Sequence, residues 1–363
     1  MGEPALRIYS DDAPHRITLR QALESYVLTT LDSPSAATVQ QLWRAVHLWE
    51  EFESRNGPNL KMRHAKNPGK SGGSIGTTST DAADIDDVML AQFRDWCQET
   101  KGHAASTWNK TWRRVRQILR KLGPPEKGNP AGLGKIARVP HIRLVTESKR
   151  GKRIVTLDEL DAWYRAAEHA TWPDGDVAAA RQWRALLVLG YTTGLRTIDA
   201  KQLDRESITS DQHCPDDDVA WTCPHGWLYV VPEKTKRHQR EVILPLNECL
   251  ATHLSWLCSS GSSRLFSFGA ANRHFSDQWK EITRRAKVKP FTFGDLRKTA
   301  NTQYNQIRPG LGKWILGHAP RGVNETFYLD IMPQVLKGVD TLPLPTAFTE
   351  LADKPVDRQM RLF

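Results

Sequence analysis

Residues 316–328 read Leu316-Gly317-His318-Ala319-Pro320-Arg321-Gly322-Val323-Asn324-Glu325-Thr326-Phe327-Tyr328, and upstream of them lie Gly194-Leu195-Arg196, Lys234-Thr235-Lys236 and Asp295-Leu296-Arg297. Each short segment supplies a group that phosphodiester cleavage needs. Negative charge grows on the non-bridging oxygens of a phosphodiester as a fifth oxygen approaches. Arginine is always charged and offers a rigid fork of donors to phosphate oxygens, so Arg196 and Arg297, from separate elements, suit that task. In this arrangement Tyr328 is the nucleophile and Lys234 the acid.

The segments also carry a resemblance. Tyr191-Thr192-Thr193-Gly194-Leu195-Arg196-Thr197-Ile198-Asp199-Ala200-Lys201-Gln202-Leu203 resembles the first box of the tyrosine recombinases, the phage-integrase family, in which a helix ends at a glycine and the arginine opens the next. Lys234, ahead of the strand Arg240-Glu241-Val242-Ile243-Leu244-Pro245-Leu246, resembles the lysine of the family's β-hairpin. Phe291-Thr292-Phe293-Gly294-Asp295-Leu296-Arg297-Lys298-Thr299 resembles the second box, with Arg297 as its arginine. Leu316-Gly317-His318 matches the third-box histidine and Tyr328 the nucleophile, with Asp199 in support. The resemblance covers residues 153–335. Single motifs of this kind are weak, and their order and spacing over that length are strong.

The pattern is broken at one position that matters. The residue three before the second arginine is normally histidine, and here it is Gly294, which can neither donate to a phosphate oxygen nor take a proton from Tyr328. The gap from His318 to Tyr328, with Pro320-Arg321-Gly322 inside it, is also longer than the common form, a matter of local geometry.

Length and charge agree with this reading. A chain of 363 residues is long enough for two or three domains, each with a substantial core. Lys and Arg total 51 against 41 Asp and Glu, a net charge of +10, which favours a polyanionic partner through counterion release. No apolar run reaches the roughly 18 residues of a membrane span, and no charged-then-apolar leader opens the chain. The expectation is therefore a protein of the cytoplasm, associated with the nucleoid if the resemblance holds. Five scattered cysteines, Cys97, Cys214, Cys223, Cys249 and Cys258, read as reduced thiols in such a compartment.

The expected fold is mainly α with a small antiparallel β-sheet. The resemblance implies an N-terminal four-helix core-binding domain of SAM-like type over residues 1–122, a basic linker over 123–152, an α+β catalytic domain over 153–335 and a tail over 336–363. Thr18-Leu19-Arg20-Gln21 has capping-box spacing and opens a first helix through residue 31. Ser33-Pro34 starts a second, in which Val39, Leu42, Trp43, Val46, Trp49 and Phe52 recur at helical spacing. Residues 56–80, rich in Gly, Ser, Thr, Asn, Pro and Lys, read as a flexible loop. A third helix spans 84–100 with Val88, Phe93, Trp96 and Cys97.

The fourth helix carries the clearest signal of the first domain. Trp108, Trp112, Val115, Leu119 and Leu122 form one stripe, and Lys110, Arg113, Arg114, Arg120 and Lys121 cover the opposite face. Acidic residues are absent from 101 to 122, whereas a merely solvating helix mixes its signs. The basic face is thus a candidate DNA contact. Gly123-Pro124-Pro125 ends the helix, and the Gly-, Pro- and Lys/Arg-rich stretch to about residue 153 reads as an extended linker able to span a groove. Thr156-Leu157-Asp158-Glu159 is a second capping box opening the catalytic domain. An apolar helix follows over 181–192, then strands over 227–231 and 241–246, and a Pro-rich tail after residue 331.

Each site residue has a plain alternative. Arg196 could pair with Asp199 at a helix start, Lys234 could be one hairpin lysine among Lys236, Arg237 and Arg240, Arg297 could lie on a helix surface, His318 could be a cap and Tyr328 could pack beside Phe327. Their joint occurrence in one order is what overturns these alternatives. A separate set, His213, Cys214, Cys223 and His225, offers zinc-type ligands at the base of a hairpin, but the spacing matches no common zinc module, and free thiols beside surface histidines are the favoured reading.

The resemblance implies transesterification with no metal or nucleotide cofactor. Tyr328 attacks phosphorus, leaving a 3′-phosphotyrosyl link and a 5′-hydroxyl that Lys234 protonates. It further implies double-stranded DNA as partner, a homotetramer whose C-terminal segments dock on neighbouring copies, and a possible directionality factor, the setting being integration of a mobile element. A DNA-binding protein of the same fold with weakened catalysis, and a DNA-relaxing enzyme of the type IB topoisomerase class, are the alternatives.

Overall fold

The computed structural model describes residues 16–31, 34–64, 80–148, 151, 153–214, 221–233, 241–258, 263–269, 272–318 and 331–352. These residues form two compact units, 1–149 and 150–363.

The first unit is helical. Thr18 and Gln21 make the reciprocal capping box expected of them and open α1 (Leu19–Ala22), whose winding continues through wider and tighter turns to Thr30. The long α2 (Ala36–His64) follows, then α3 (Asp87–Glu99), opened by the Asp86 carboxylate accepting from Met89 N at 2.7 Å, and α4 (Ala105–Leu122). Leu42, Val46, Trp49, Phe52, Phe93, Trp108, Trp112, Val115 and Leu119 are buried together, the rings of Trp49 and Phe93 meeting edge-on at 5.1 Å. Each such side chain contributes about 1.5–3 kcal/mol by leaving water. Trp43 and Val39, placed on the same stripe by sequence, are only half-buried.

Two features depart from the sequence reading. Helix α2 runs on to His64, through the beginning of the stretch read as loop; residues 65–79 lie outside the described residues. The segment after α4 is folded back onto its own unit. Leu133 N donates to Lys121 O and Ile136 N to Leu122 O, while Ile136 and Ile142 join the core. Asp87 takes His141 N at 2.7 Å and Arg138 at 2.9 Å, and the buried Asn109 side chain bonds both the N–H and the C=O of Val145. Apolar residues spaced among the glycines and prolines, invisible to a composition argument, anchor this stretch.

In the second unit Thr156 and Glu159 form the second capping box and open α5 (Leu157–Ala166). The apolar α6 (Ala179–Thr193) is buried nearly all round and ends at Gly194, beyond which lies α7 (Thr197–Lys201). Strands β1 (Ile208–Thr209), β2 (Trp227–Val230) and β3 (Val242–Pro245) form an antiparallel sheet in the order β1-β2-β3, with Trp227 opposite Pro245 and Val230 opposite Val242. Then come α8 (Glu248–Ser255), α9 (Asn272–Arg285), α10 (Phe293–Ile307) and α11 (Leu311–Ile315). The architecture is mainly helical with one small sheet, as expected.

The C-terminal stretch, read as a Pro-rich tail, is helical over much of its length: α12 (Met332–Asp340) and α13 (Thr346–Ala352). Pro333 sits in the first turn of α12, where its missing N–H costs nothing, and Pro343 and Pro345 separate the two helices. Val335, Val339, Leu342 and Phe348 are buried in the core of the same unit, and Tyr191 donates its hydroxyl to Pro343 O at 2.6 Å.

Candidate active site

The site is built on the packing of α6 against α10. At Gly190 a Cβ would fall 2.7 Å from the Phe293 ring and 2.9 Å from Leu296, so only glycine lets the two helices approach this closely. Tyr304 on α10 then donates to Thr192 O at 2.6 Å. At the end of α6, Gly194 adopts a left-handed conformation, φ 61°, and its missing Cβ leaves room for Leu316, which would otherwise be 2.3 Å away. The chain turns there and delivers Arg196 as the residue capping α7.

Arg297, one turn into α10, binds that turn. Its guanidinium donates to Gly194 O at 2.6 Å and to Leu316 O at 3.0 Å, and Nη2 stands 3.3 Å from His318 Nε2. One side chain thereby ties the element carrying Arg196 to the element carrying His318. Gly317, left-handed at φ 63°, packs so closely on Val242 that a Cβ would lie 2.6 Å from it, which seats the His318 segment on β3. His318 itself is exposed, its N–H bonded to Lys313 O. Burial and the neighbouring charge of Arg196 lower the Arg297 pKa to about 10, with Asp199 opposing the shift, so Arg297 remains a cation at neutral pH.

Asp199 is buried, 4% exposed, on α7. One carboxylate oxygen accepts from Glu233 N at 2.9 Å, and the other lies 3.7 Å from Arg196 Nη1. Of the residues read from sequence, Arg196, Asp199, Arg297 and His318 are thus brought together around one turn. Lys234 and Tyr328 lie outside the described residues, as do Lys236 and His238.

Gly294 occupies the second position of α10 and is exposed. A Cβ added there would meet nothing nearer than Thr292 Oγ1, at 3.6 Å. That hydroxyl donates to Asp295 Oδ2 at 2.7 Å, and Asp295 also takes Lys298 at 2.5 Å. Thr292, the natural substitute for a missing donor, is therefore already committed.

The zinc-type residues do not assemble. Cys214 and Cys223 are buried against Trp227, and the Cys223 thiol donates to Leu246 O at 3.2 Å. Burial raises the Cys223 pKa, away from the thiolate that zinc requires. His213 is exposed, and among the described residues no group of three or more His, Cys, Asp or Glu is placed to hold a metal ion.

On the first unit, Lys110, Arg113 and Arg120 project outward from α4, with Arg114 and Lys121 half-exposed. Arg114 is held by the neutral side chains of Gln41 and Gln117. Arg113, Arg116, Arg120 and Lys121 line an open groove of about 320 Å³ floored by Val27 and Leu31. Arg116 belongs to this face although the sequence reading omitted it; its spacing from Arg113 and Arg120 was the available signal. Among the described residues none of these α4 cations forms an ion pair with a carboxylate, in contrast to Arg284 and Arg285 on α9, both paired with Glu281.

No protein-family model matches the sequence, and no curated protein matches it. Among solved structures, the chain is similar to the Tn1549 transposon integrase in complex with a circular intermediate DNA, at 13% identity and a TM-score of 0.55, over 92% of this chain and 99% of that one. It is also similar to the XerH site-specific recombinase bound to its difH substrate in a pre-cleavage complex, at 16% identity and a TM-score of 0.51, over 88% of this chain and 79% of that one. At these identities the likeness is one of architecture, and it spans both units. The chain has the fold of the tyrosine recombinases and integrases.

Proposed function

We propose that this chain is a tyrosine-type site-specific DNA recombinase, the integrase of a mobile element. One observation carries the reading: Arg297 binds the backbone on either side of the site, joining Arg196, Arg297 and His318 around the turn at Gly194. Two guanidinium groups and an imidazole, from three elements, thus stand around one turn, and both guanidinium groups are cations at neutral pH. The unneutralised groove on α4 supports duplex DNA as partner, since phosphate contacts by such cations supply most of the non-specific affinity.

In this reading the guanidinium groups of Arg196 and Arg297 hold the non-bridging oxygens of the scissile phosphate, and His318 donates beside them. Tyr328 attacks phosphorus in line, the 3′-phosphotyrosyl bond forms, and the 5′-oxygen leaves with a proton from Lys234. A 5′-hydroxyl from another strand reverses the reaction. Strand exchange then proceeds in a homotetramer on DNA at the nucleoid, with a directionality factor biasing the outcome. Segment 331–352 fills a pocket of its own chain through Leu342 and Phe348; in the assembly the same contacts would be made by a neighbouring copy.

Gly294 favours a second reading, a DNA-binding protein whose cleavage is weakened. One experiment separates the two. On a nicked suicide duplex the chain should form a covalent adduct that survives denaturation, and Tyr328→Phe should abolish it while keeping DNA affinity. Binding with no adduct would favour the weakened binder; adducts persisting in Tyr328→Phe would reject Tyr328 as nucleophile. Relaxation of supercoiled DNA without junction formation between duplexes would favour the topoisomerase-like alternative.

A further inference from the structure

Among the described residues every left-handed backbone position is a glycine except one, Lys287, at φ 55°. Gly194 and Gly317 show the usual solution: with no Cβ, glycine adopts this conformation without strain. Lys287 lies just beyond the last turn of α9, where its N–H donates to Arg284 O at 3.1 Å and a left-handed residue ends the winding. Glycine or asparagine is the ordinary choice at such a position. An ammonium near a helix C-terminus gains something from the helix dipole, but an exposed one gains less than the left-handed strain costs a residue with a Cβ. Local structure alone therefore does not account for a lysine here.

The backbone around Lys287 is held from both sides. Ala286 and Val288 pack against the core of the second unit. Arg153 donates to Lys289 O at 2.7 Å, is itself held by Glu159 at 2.8 Å, and lies over the Phe291 ring at 5.8 Å. Trp279 donates to Phe291 O at 2.7 Å. The stretch from residue 286 to 291 is thus a fixed base on which Lys287 and Lys289 are exposed. Among the described residues neither ammonium pairs with a carboxylate, whereas Arg284 and Arg285, on the adjoining turn, both pair with Glu281 at 2.7 Å.

We propose that Lys287, with Lys289 beside it, is a phosphate-backbone contact for duplex DNA on the second unit, its strained backbone retained for the placement of its charge. The proposal rests on the reading of this chain as a DNA recombinase and adds to it a surface apart from the α4 groove. The loop leads directly into α10, the helix that carries Arg297, so DNA seated at Arg297 would bring flanking phosphates to it. Lysine suits that role, because a compact charge on a long stem meets a phosphate without reading sequence.

The test measures binding of the full chain to a labelled duplex across salt concentrations, beside thermal unfolding. Lys287→Gly should raise the melting temperature by about 2–4 °C, the shift expected when strain of this kind is relieved in a unit of this size. It should also weaken binding roughly eight-fold at 0.1 M salt and make the log–log salt slope shallower by about 0.9, the contribution of one phosphate contact. Lys287→Ala removes the charge and keeps the strain, so it should lose affinity without gaining stability. Lys287→Arg should keep the wild-type affinity and slope. Adding Lys289→Ala to Lys287→Gly should double the change in slope, to about 1.8. An unchanged slope in Lys287→Gly would overturn the proposal, as would an equal change in Arg284→Ala, because net charge alone would then explain it. A melting temperature that falls in Lys287→Gly would also overturn it, by showing that lysine serves the fold at this position. Unchanged duplex binding together with lost self-association would assign the loop to a carboxylate surface of another copy instead. Failure of the wild type to bind duplex DNA would reject the functional reading, and this proposal with it.

Discussion

Gly294→His tests whether the site lacks one of its donors. The substitution is sterically open: Gly294 lies on a backbone that any L-residue adopts, and its Cβ would rest at 3.6 Å from Thr292 Oγ1, an ordinary van der Waals contact. Replacing glycine within a helix should stabilise the fold by a few tenths of a kcal/mol, so the melting temperature should hold or rise slightly. The catalytic effect should be far larger. Removing one preformed donor to a transition-state oxyanion typically slows reaction by ~10²–10³-fold, or about 2.7–4 kcal/mol, and restoring one should recover a comparable factor. DNA affinity should not change, because the imidazole would act on charge present only in the transition state. Single-turnover adduct formation on the suicide duplex gives the rate, and anisotropy with labelled duplex gives the affinity. A rate that falls in a folded, DNA-binding variant would refute the vacancy and mean that another group already serves there; Lys236 and His238 would then be the residues to test.

Gly194→Ala should destabilise the second unit by about 2–5 kcal/mol, combining left-handed strain of roughly 1–2 kcal/mol with overpacking against Leu316, and a loss below 1 kcal/mol in denaturant unfolding would contradict the clash geometry. Replacing Arg113, Arg116 and Arg120 together by alanine should weaken DNA binding across unrelated sequences and make the log–log salt slope shallower by about 0.9 for each phosphate left unneutralised, close to 2.7 in all; an unchanged slope would remove α4 from the interface. His253 is buried beside Tyr164, whose hydroxyl lies 2.7 Å from Nε2, and burial lowers its pKa to about 4. Between pH 6.5 and 4 the unfolded chain takes up a proton that the folded chain refuses, so this group's contribution is full above 6.5 and falls away toward pH 4, by up to roughly 3 kcal/mol. Urea titrations at pH 7 and 4.5 should show that dependence reduced in His253→Gln.

What could be read in the sequence was local. The capping boxes at Thr18 and Thr156 and the tryptophan stripe of α4 each depend on residues within a turn or two of one another, and all three stand where sequence placed them. Composition misled where it stood in for structure. Glycine and proline suggested loop from residue 56, linker from 123 and tail after 331, yet α2 continues to His64, Ile136 and Ile142 are buried, and Phe348 closes the second core. A few apolar anchors outweigh the composition around them. In the candidate site, residue types in order singled out Arg196, Arg297 and His318, which the fold places around one turn, but gave no sign of the bonds joining their elements. Gly194 to Arg297 spans 103 residues and Asp199 to Glu233 spans 34, distances over which no local pattern signals contact.

The same bonds explain why this group of residues suits an anion. Arg297 spends two of its donors on backbone carbonyls and is held near a second guanidinium, and both burial and that repulsion depress its pKa. Among the described residues Arg297 forms no ion pair with a carboxylate, and the nearby Asp199 stands 3.7 Å from Arg196, too far for a hydrogen bond. Two like charges so placed raise the energy of the empty site, and a doubly contacted phosphate would lower it by more than either arginine could alone. Glycine at 190 and 194 lets α6, α10 and the Leu316 turn pack without space to relax, so the fold holds the pair together against that repulsion. Under the proposed function, affinity for a phosphodiester would be set by backbone packing before any DNA arrives, and the charge growing on the phosphorane would meet donors that need not reorganise.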